Sequence, residues 1–201
     1  MTESEITALA TFLRTRDPQL YMLIDAACDH TCASQLRAKG LDVRSLFSGI
    51  KEITLAEVAP YLVSMPKEPP LLESLIEQHW GYGKCWSVVV EGFVNIEQLR
   101  LQLKKSLSVE LENGSSAYFR FYDARAFGKF VGISSLMQMN EFLGESIQGV
   151  HYVSSNGSVS LMSLQKIHEN GWRAFVKKDS YKLLSYTRKK DIYVENIEQT
   201  T

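Results

Sequence analysis

Apolar residues recur along this chain in two rhythms, short unbroken runs and stripes at helical spacing, and together they predict an alternating series of elements. Thr2-x-x-Glu5 has the form of a capping box ahead of Ile6, Leu9, Ala10 and Leu13, a helical stripe that Asp17-Pro18 stops. Leu20 to Ala27, apolar but for Asp25, predicts a strand buried on both faces, the kind found between helical layers. Thr31 to Lys39 follows as a helix closed by Gly40. Val43 to Phe47 is a second strand ending at Ser48-Gly49, and Val58 to Val63 a third, where Pro60 favours a strand start or an edge. Pro69-Pro70 launches a helix through Leu72, Leu75, Ile76, His79 and Trp80, which Gly81-Tyr82-Gly83 ends. Cys85 to Val90 is another buried strand. Asn95 then caps an amphipathic helix with Ile96, Leu99, Leu103 and Leu107 on one stripe and Arg100, Lys104 and Lys105 off it.

After an Asn113-Gly114 turn comes Tyr118-Phe119-Arg120-Phe121-Tyr122-Asp123-Ala124-Arg125. Its period of two predicts an inner strand with Phe119 and Phe121 on one face and Tyr118, Arg120 and Tyr122 on the other. An Arg in that setting needs a carboxylate, and Asp25 and Asp123 are the candidates. Asp123 also suits the cap of a helix over Arg125 to Phe130, and Ser134 or Ser135 the cap of another through Leu136, Met139, Phe142 and Leu143. Strands alternating with helices imply an α/β fold with a mixed, mainly parallel central sheet flanked by helices. From about residue 145 the texture changes. Val150 to Val153, an Asn156-Gly157 turn and Val159 to Met162 read as a hairpin; Ile167 to Asn170 reads as a helical turn and Trp172 to Val176 as a strand. The expected organisation is an α/β core over 1–144 and a smaller C-terminal α+β portion over 145–201, hairpin and helical, that supplies contacts.

With 201 residues and a net charge of −1, the chain is large enough for a substantial core and too neutral for a non-specific nucleic-acid binder. Its polar, acidic start and the lack of any apolar stretch near ~20 residues predict a cytoplasmic protein with no membrane association. Cys28, Cys32 and Cys85 are an odd set that fits a reducing compartment. Gly81-x-Gly83-Lys84 has the look of a phosphate cradle, but its glycines lead into a strand and read as a helix-ending turn. Cys28, His30 and Cys32 lack the fourth ligand of a zinc site, so the cysteines read as structural and no metal or cofactor is expected. The four histidines are scattered, and neither a nucleophile elbow nor a zinc-protease helix is present. Asp25, Arg120, Asp123 and Arg125 form a quartet that reads first as an internal ion pair plus a helix cap, and second as a ligand-contacting site.

Five stretches in order carry a family resemblance: Tyr21 to Ala27, Ser45-Leu46-Phe47-Ser48-Gly49, Ala59-Pro60-Tyr61-Leu62-Val63, Gln98-Leu99-Arg100 and Phe119 to Arg125. The chain resembles the bacterial family known as domain of unknown function 4123, over roughly residues 20 to 143. Two positions depart from that pattern, Gln98 where the family usually has His and Ala124 where it usually has Pro. The resemblance implies a non-catalytic adaptor chaperone of the type VI secretion system. Such a protein binds a toxic effector in the cytoplasm and loads it onto the valine-glycine-repeat (VgrG) spike protein, without travelling with its cargo. It implies structural roles for Asp25, Pro60, Arg120, Tyr122, Asp123 and Arg125, and no small-molecule ligand.

The body then acts as a platform, and partner contact falls to the aromatic residues of the C-terminal portion: Tyr152, Trp172, Phe175, Tyr181 and Tyr186. Two other readings compete. One is a hydrolase-type enzyme using Asp25, Arg120, Asp123 and Arg125. The other is a single-stranded nucleic-acid-binding module in which Lys177-Lys178 and Arg188-Lys189-Lys190 alternate with Tyr181, Tyr186 and Tyr193.

Overall fold

The computed structural model describes the backbone of residues 2–16, 18–81, 84, 86–111, 113–155, 159–168, 171–178 and 182–186, and the side chains of those up to 153 other than 136. Its elements in order are α1 (Glu3–Arg14), β1 (Gln19–Asp25), α2 (Cys32–Ala38), β2 (Val43–Ser45), α3 (Ile50–Thr54), a 3₁₀ turn (Ala56–Val58), β3 (Pro60–Ser64), α4 (Pro69–Trp80), β4 (Ser87–Gly92), α5 (Ile96–Lys105), β5 (Ser108–Glu110), β6 (Ser116–Tyr118), α6 (Ala124–Ile133), α7 (Leu136–Leu143), β7 (Ile147–Ser155), β8 (Val159–His168), β9 (Gly171–Lys178) and β10 (Lys182–Tyr186).

Eight strands form one sheet in the order β10-β9-β8-β7-β4-β1-β3-β2, and every neighbouring pair is antiparallel. The expected mainly parallel sheet is therefore corrected. Burial of β1 on both faces is real, with only Gln19 partly open, but it follows from helices covering both faces and carries no information about strand direction. β7 pairs with β4, so strands on either side of residue 145 belong to the same sheet.

Register assigns the faces, because residues opposite one another on neighbouring strands point the same way. Leu23, Leu62, Val88 and Tyr152 lie in one row, and Tyr152 meets Phe127 of α6 edge-on at 5.2 Å. Met22, Val63, Val89 and His151 lie in the opposite row, and His151 meets Phe12 of α1 at 5.7 Å. The result is three layers: α1, α2 and α4 on one face, α5, α6 and α7 on the other. The core runs from Leu13 and Trp80 through the middle of the sheet to Leu103, Phe121 and Phe127. The Trp80 indole N–H donates to the carbonyl of Ser87 at 3.0 Å, which ties the end of α4 to the start of β4.

The caps follow the sequence closely. Thr2, Asn95 and Ser135 each close a capping box, and Asp123 caps α6. Pro60 opens β3, where its missing N–H is tolerated. Ile167 and His168 extend β8 instead of forming a helical turn. The hairpin β7–β8 and the strand β9 stand where they were expected.

Candidate functional site

Phe119 to Tyr122 is not an inner strand. β6 stops at Tyr118 and, among the described residues, pairs only with β5 in a small separate sheet, and the chain then turns through Phe121 to Asp123 into α6. The expected alternation of side chains survives without the strand. Phe119 and Phe121 pack together at 5.7 Å and join Phe127, Phe130 and Phe142 in an aromatic cluster. Arg120 points the other way, to Asp25 at the end of β1.

These charges form a clasp between the sheet and the start of α6. The Arg120 Nη2 donates to Asp25 Oδ2 and lies 3.7 Å from Asp123 Oδ2. Arg125 grips Asp123 with two bonds, Nε to Oδ1 at 2.9 Å and Nη2 to Oδ2 at 2.6 Å, while its backbone N–H completes the cap at 2.9 Å. Asp25 Oδ1 accepts from the backbone N–H of Ala27 at 3.0 Å. The Asp25 carboxylate is 1% exposed, whereas the Arg120 side chain is 46% exposed, so the buried partner is the acid and the guanidinium is its bridge to solvent. Burial of the Asp123 carboxyl would raise its pKa, but the bonds from Arg125 outweigh that and hold it below the usual carboxylate range. Tyr122 is buried, and its phenol is pushed well up by burial and by its bond with Tyr118, so it stays protonated.

The other resemblance stretches meet at the same end of the sheet. Pro60 opposes Asp25 in the register of β3 on β1. Arg100 of α5 donates to the carbonyl of Ser45 at 2.7 Å and to that of Phe47 at 3.5 Å, and Lys104 Nζ reaches Ser48 Oγ at 3.0 Å. Phe47 meets Tyr118, ring centres 6.2 Å apart. All five motifs thus build one structural corner. Beside it, α3 buries no residue and leaves Ile50 and Ile53 about four-fifths exposed.

Cys28 and Cys32 are free thiols, and no group of side chains suited to a metal ion occurs among the described residues. Burial raises both thiols, Cys32 to about 12, and Asp25 and Asp29 add to the effect. Neither is a thiolate at neutral pH. Among the described residues no helix is long and apolar enough to cross a membrane.

The contact candidates fare differently from the clasp. Tyr152 is 5% exposed and sealed under α6, so it is a core residue and is corrected as a contact candidate. Trp172 and Phe175 take positions on β9 and Tyr186 ends β10, with their side chains outside the described residues. Tyr181 lies wholly outside them, as do Arg188 to Lys190.

Sequence reasoning missed a second buried charge group on the opposite face. Glu91 of β4 is 1% exposed at its side chain; Arg16 grips it with Nε to Oε2 at 2.8 Å and Nη2 to Oε1 at 2.9 Å, and His151 Nε2 lies 3.5 Å from Oε1. Room for that carboxylate comes from Gly149, where a Cβ would stand 2.1 Å from Oε1. The available signal was an acid closing the apolar run Val88-Val89-Val90.

The fold and its clasp define a three-layer α/β/α domain whose antiparallel sheet is pinned to its helices by internal ion pairs. The chain belongs to the family described as Domain of unknown function (DUF4123), whose model matches residues 20–141, more than half of its length. No curated protein and no solved structure matches it.

Proposed function

We propose that this protein is a non-catalytic adaptor chaperone that binds a type VI secretion effector in the cytoplasm and loads it onto the VgrG spike. Membership of the family over residues 20–141 is the observation that carries this reading. The clasp supports it. Its two arginines are engaged with its two aspartates, and the neighbouring thiols are held protonated, so the charges of the motif serve the fold. The exposed Ile50 and Ile53 beside the clasp support a surface that meets another polypeptide.

The test is co-expression of the tagged full chain with the toxin and spike proteins encoded by neighbouring reading frames. A binary complex with the toxin on size exclusion is the expected result, and separate elution of all components at micromolar concentration overturns the reading. Arg120→Ala separates adaptor from enzyme. Leaving Asp25 with the Ala27 N–H and the weak Cys28 thiol donor at 3.9 Å should lower stability by about 1–3 kcal/mol, less than for a fully buried pair because solvent reaches the site. An Arg120→Ala chain that melts normally but loses a hydrolytic activity would establish the enzyme instead.

A further inference from the structure

β5 has a second edge. Among the described residues it pairs only with β6, and Ser108, Val109 and Glu110 are all exposed. The same three residues line one groove of about 660 Å³ that runs between the end of α5, β5 and α7. Side chains on a strand alternate, so three consecutive residues line a groove only where it follows the strand's edge. The hydrogen-bond pattern agrees. Phe119 N–H donates to the carbonyl of Leu107 at 3.0 Å and Leu111 N–H to that of Ser115 at 2.8 Å, and Val109 opposes Ala117. Odd-numbered residues of β5 therefore bond to β6, and the N–H and C=O groups of Ser108 and Glu110 face away from it.

The groove has an apolar floor. Phe119, Phe130 and Phe142 line it, with ring centres 4.9 to 5.8 Å apart. Its rim is charged, with Glu110 and Glu141 against the single cation Lys105 among the lining residues. The contrast with β2, at one end of the large sheet, is informative. There the outward carbonyls of Val43, Ser45 and Phe47 accept hydrogen bonds from Arg37 and Arg100, so that edge is closed to a further strand.

We infer that the groove along β5 takes an extended segment of a partner polypeptide by strand addition to Ser108 and Glu110. An aromatic or large aliphatic side chain of that segment rests on the phenylalanine floor, and a basic residue two positions along faces Glu110 and Glu141. Main-chain pairing supplies affinity, the floor selects the anchor, and the rim sets the charge of its neighbour. The inference rests on the adaptor reading only in taking the ligand to be a polypeptide.

The experiment pans the full-length chain against a phage-displayed library of random dodecapeptides, then titrates the leading peptide, resynthesised with a fluorescent label, by anisotropy. Enrichment of an apolar-x-basic pattern is expected, with slowed amide exchange at Ser108 and Glu110 in the complex. Ser108→Pro removes an outward donor and no β5–β6 bond, and should weaken binding at least tenfold. N-methylating alternate peptide amides should do the same without touching the protein, which keeps the test sound if the proline variant misfolds. No enrichment over background, equal binding of the N-methylated peptides, or an enriched amphipathic helix that leaves the Ser108 and Glu110 amides unchanged overturns the inference. A failure here with toxin co-elution intact strikes the groove and leaves the adaptor; peptide binding without co-elution strikes the adaptor and leaves the groove.

Discussion

Glu91 ties the stability of the fold to pH through its buried ion pair. Burial alone would raise its carboxyl, but the bonds from His151 and Arg16 outweigh that and bring it to about 2, below its ordinary 4.5. A carboxylate with a depressed folded-state pKa stabilises fully above its unfolded value, and that contribution disappears as pH falls through the folded one. The expected window is therefore pH 4.5 down to 2, where the wild-type melting temperature should drop and that of Glu91→Gln should change much less. Parallel melting curves for the two proteins across that window would refute the assignment. Glu91 and Arg16 stand far apart in sequence, so the acid was visible in the chain while its partner was not. Asp25 was different, because the lone Arg between two tyrosines announced the need for a carboxylate, and Asp25 and Asp123 were within reach of the motif logic.

Elements were read well where local chemistry decides them. The helix starts at Thr2, Asn95 and Asp123 came straight from the side chains that satisfy the first free amides, and of the two candidates Ser134 and Ser135 it is Ser135 that caps α7. The strand at Phe119 to Tyr122 was misread because alternation reports which way side chains point, and a turn pinned by Arg120 on one side and the phenylalanine cluster on the other gives the same pattern. Strand direction was misread for another reason. It depends on where each long connection returns, and antiparallel order is open to any chain with connections of this length. α5 shows an element acting on another through one side chain: Arg100 closes the β2 edge by occupying two outward carbonyls. Arg100→Ala should cost about 1–2 kcal/mol in urea denaturation. It should also raise self-association measured by light scattering, since a bare edge recruits strands. A monomeric variant of unchanged stability would remove that role.

At the scale of the whole molecule, β7 decides how far the chain can be cut. It contributes the buried side chains Ile147, Val150, Tyr152 and Val153, holds His151 and Gly149 against Glu91, and is the strand that pairs with β4 on that side of the sheet. Removing four large apolar side chains forfeits about 6–12 kcal/mol of burial at roughly 1.5–3 kcal/mol each. That is comparable to the whole stability of a domain, about 5–15 kcal/mol. A chain ending at Gly144 should therefore lose its cooperative melt by circular dichroism. One ending at Ser155 should keep it, because the five-strand body β7-β4-β1-β3-β2 and both helical layers remain. The pair of truncations also separates structure from partner contact. If the chain ending at Ser155 melts cooperatively yet no longer binds the proposed effector, the residues after 155 carry contact; if it binds undiminished, the contact surface lies in the body. A cooperative melt for the chain ending at Gly144 would show instead that β4 needs no neighbour there.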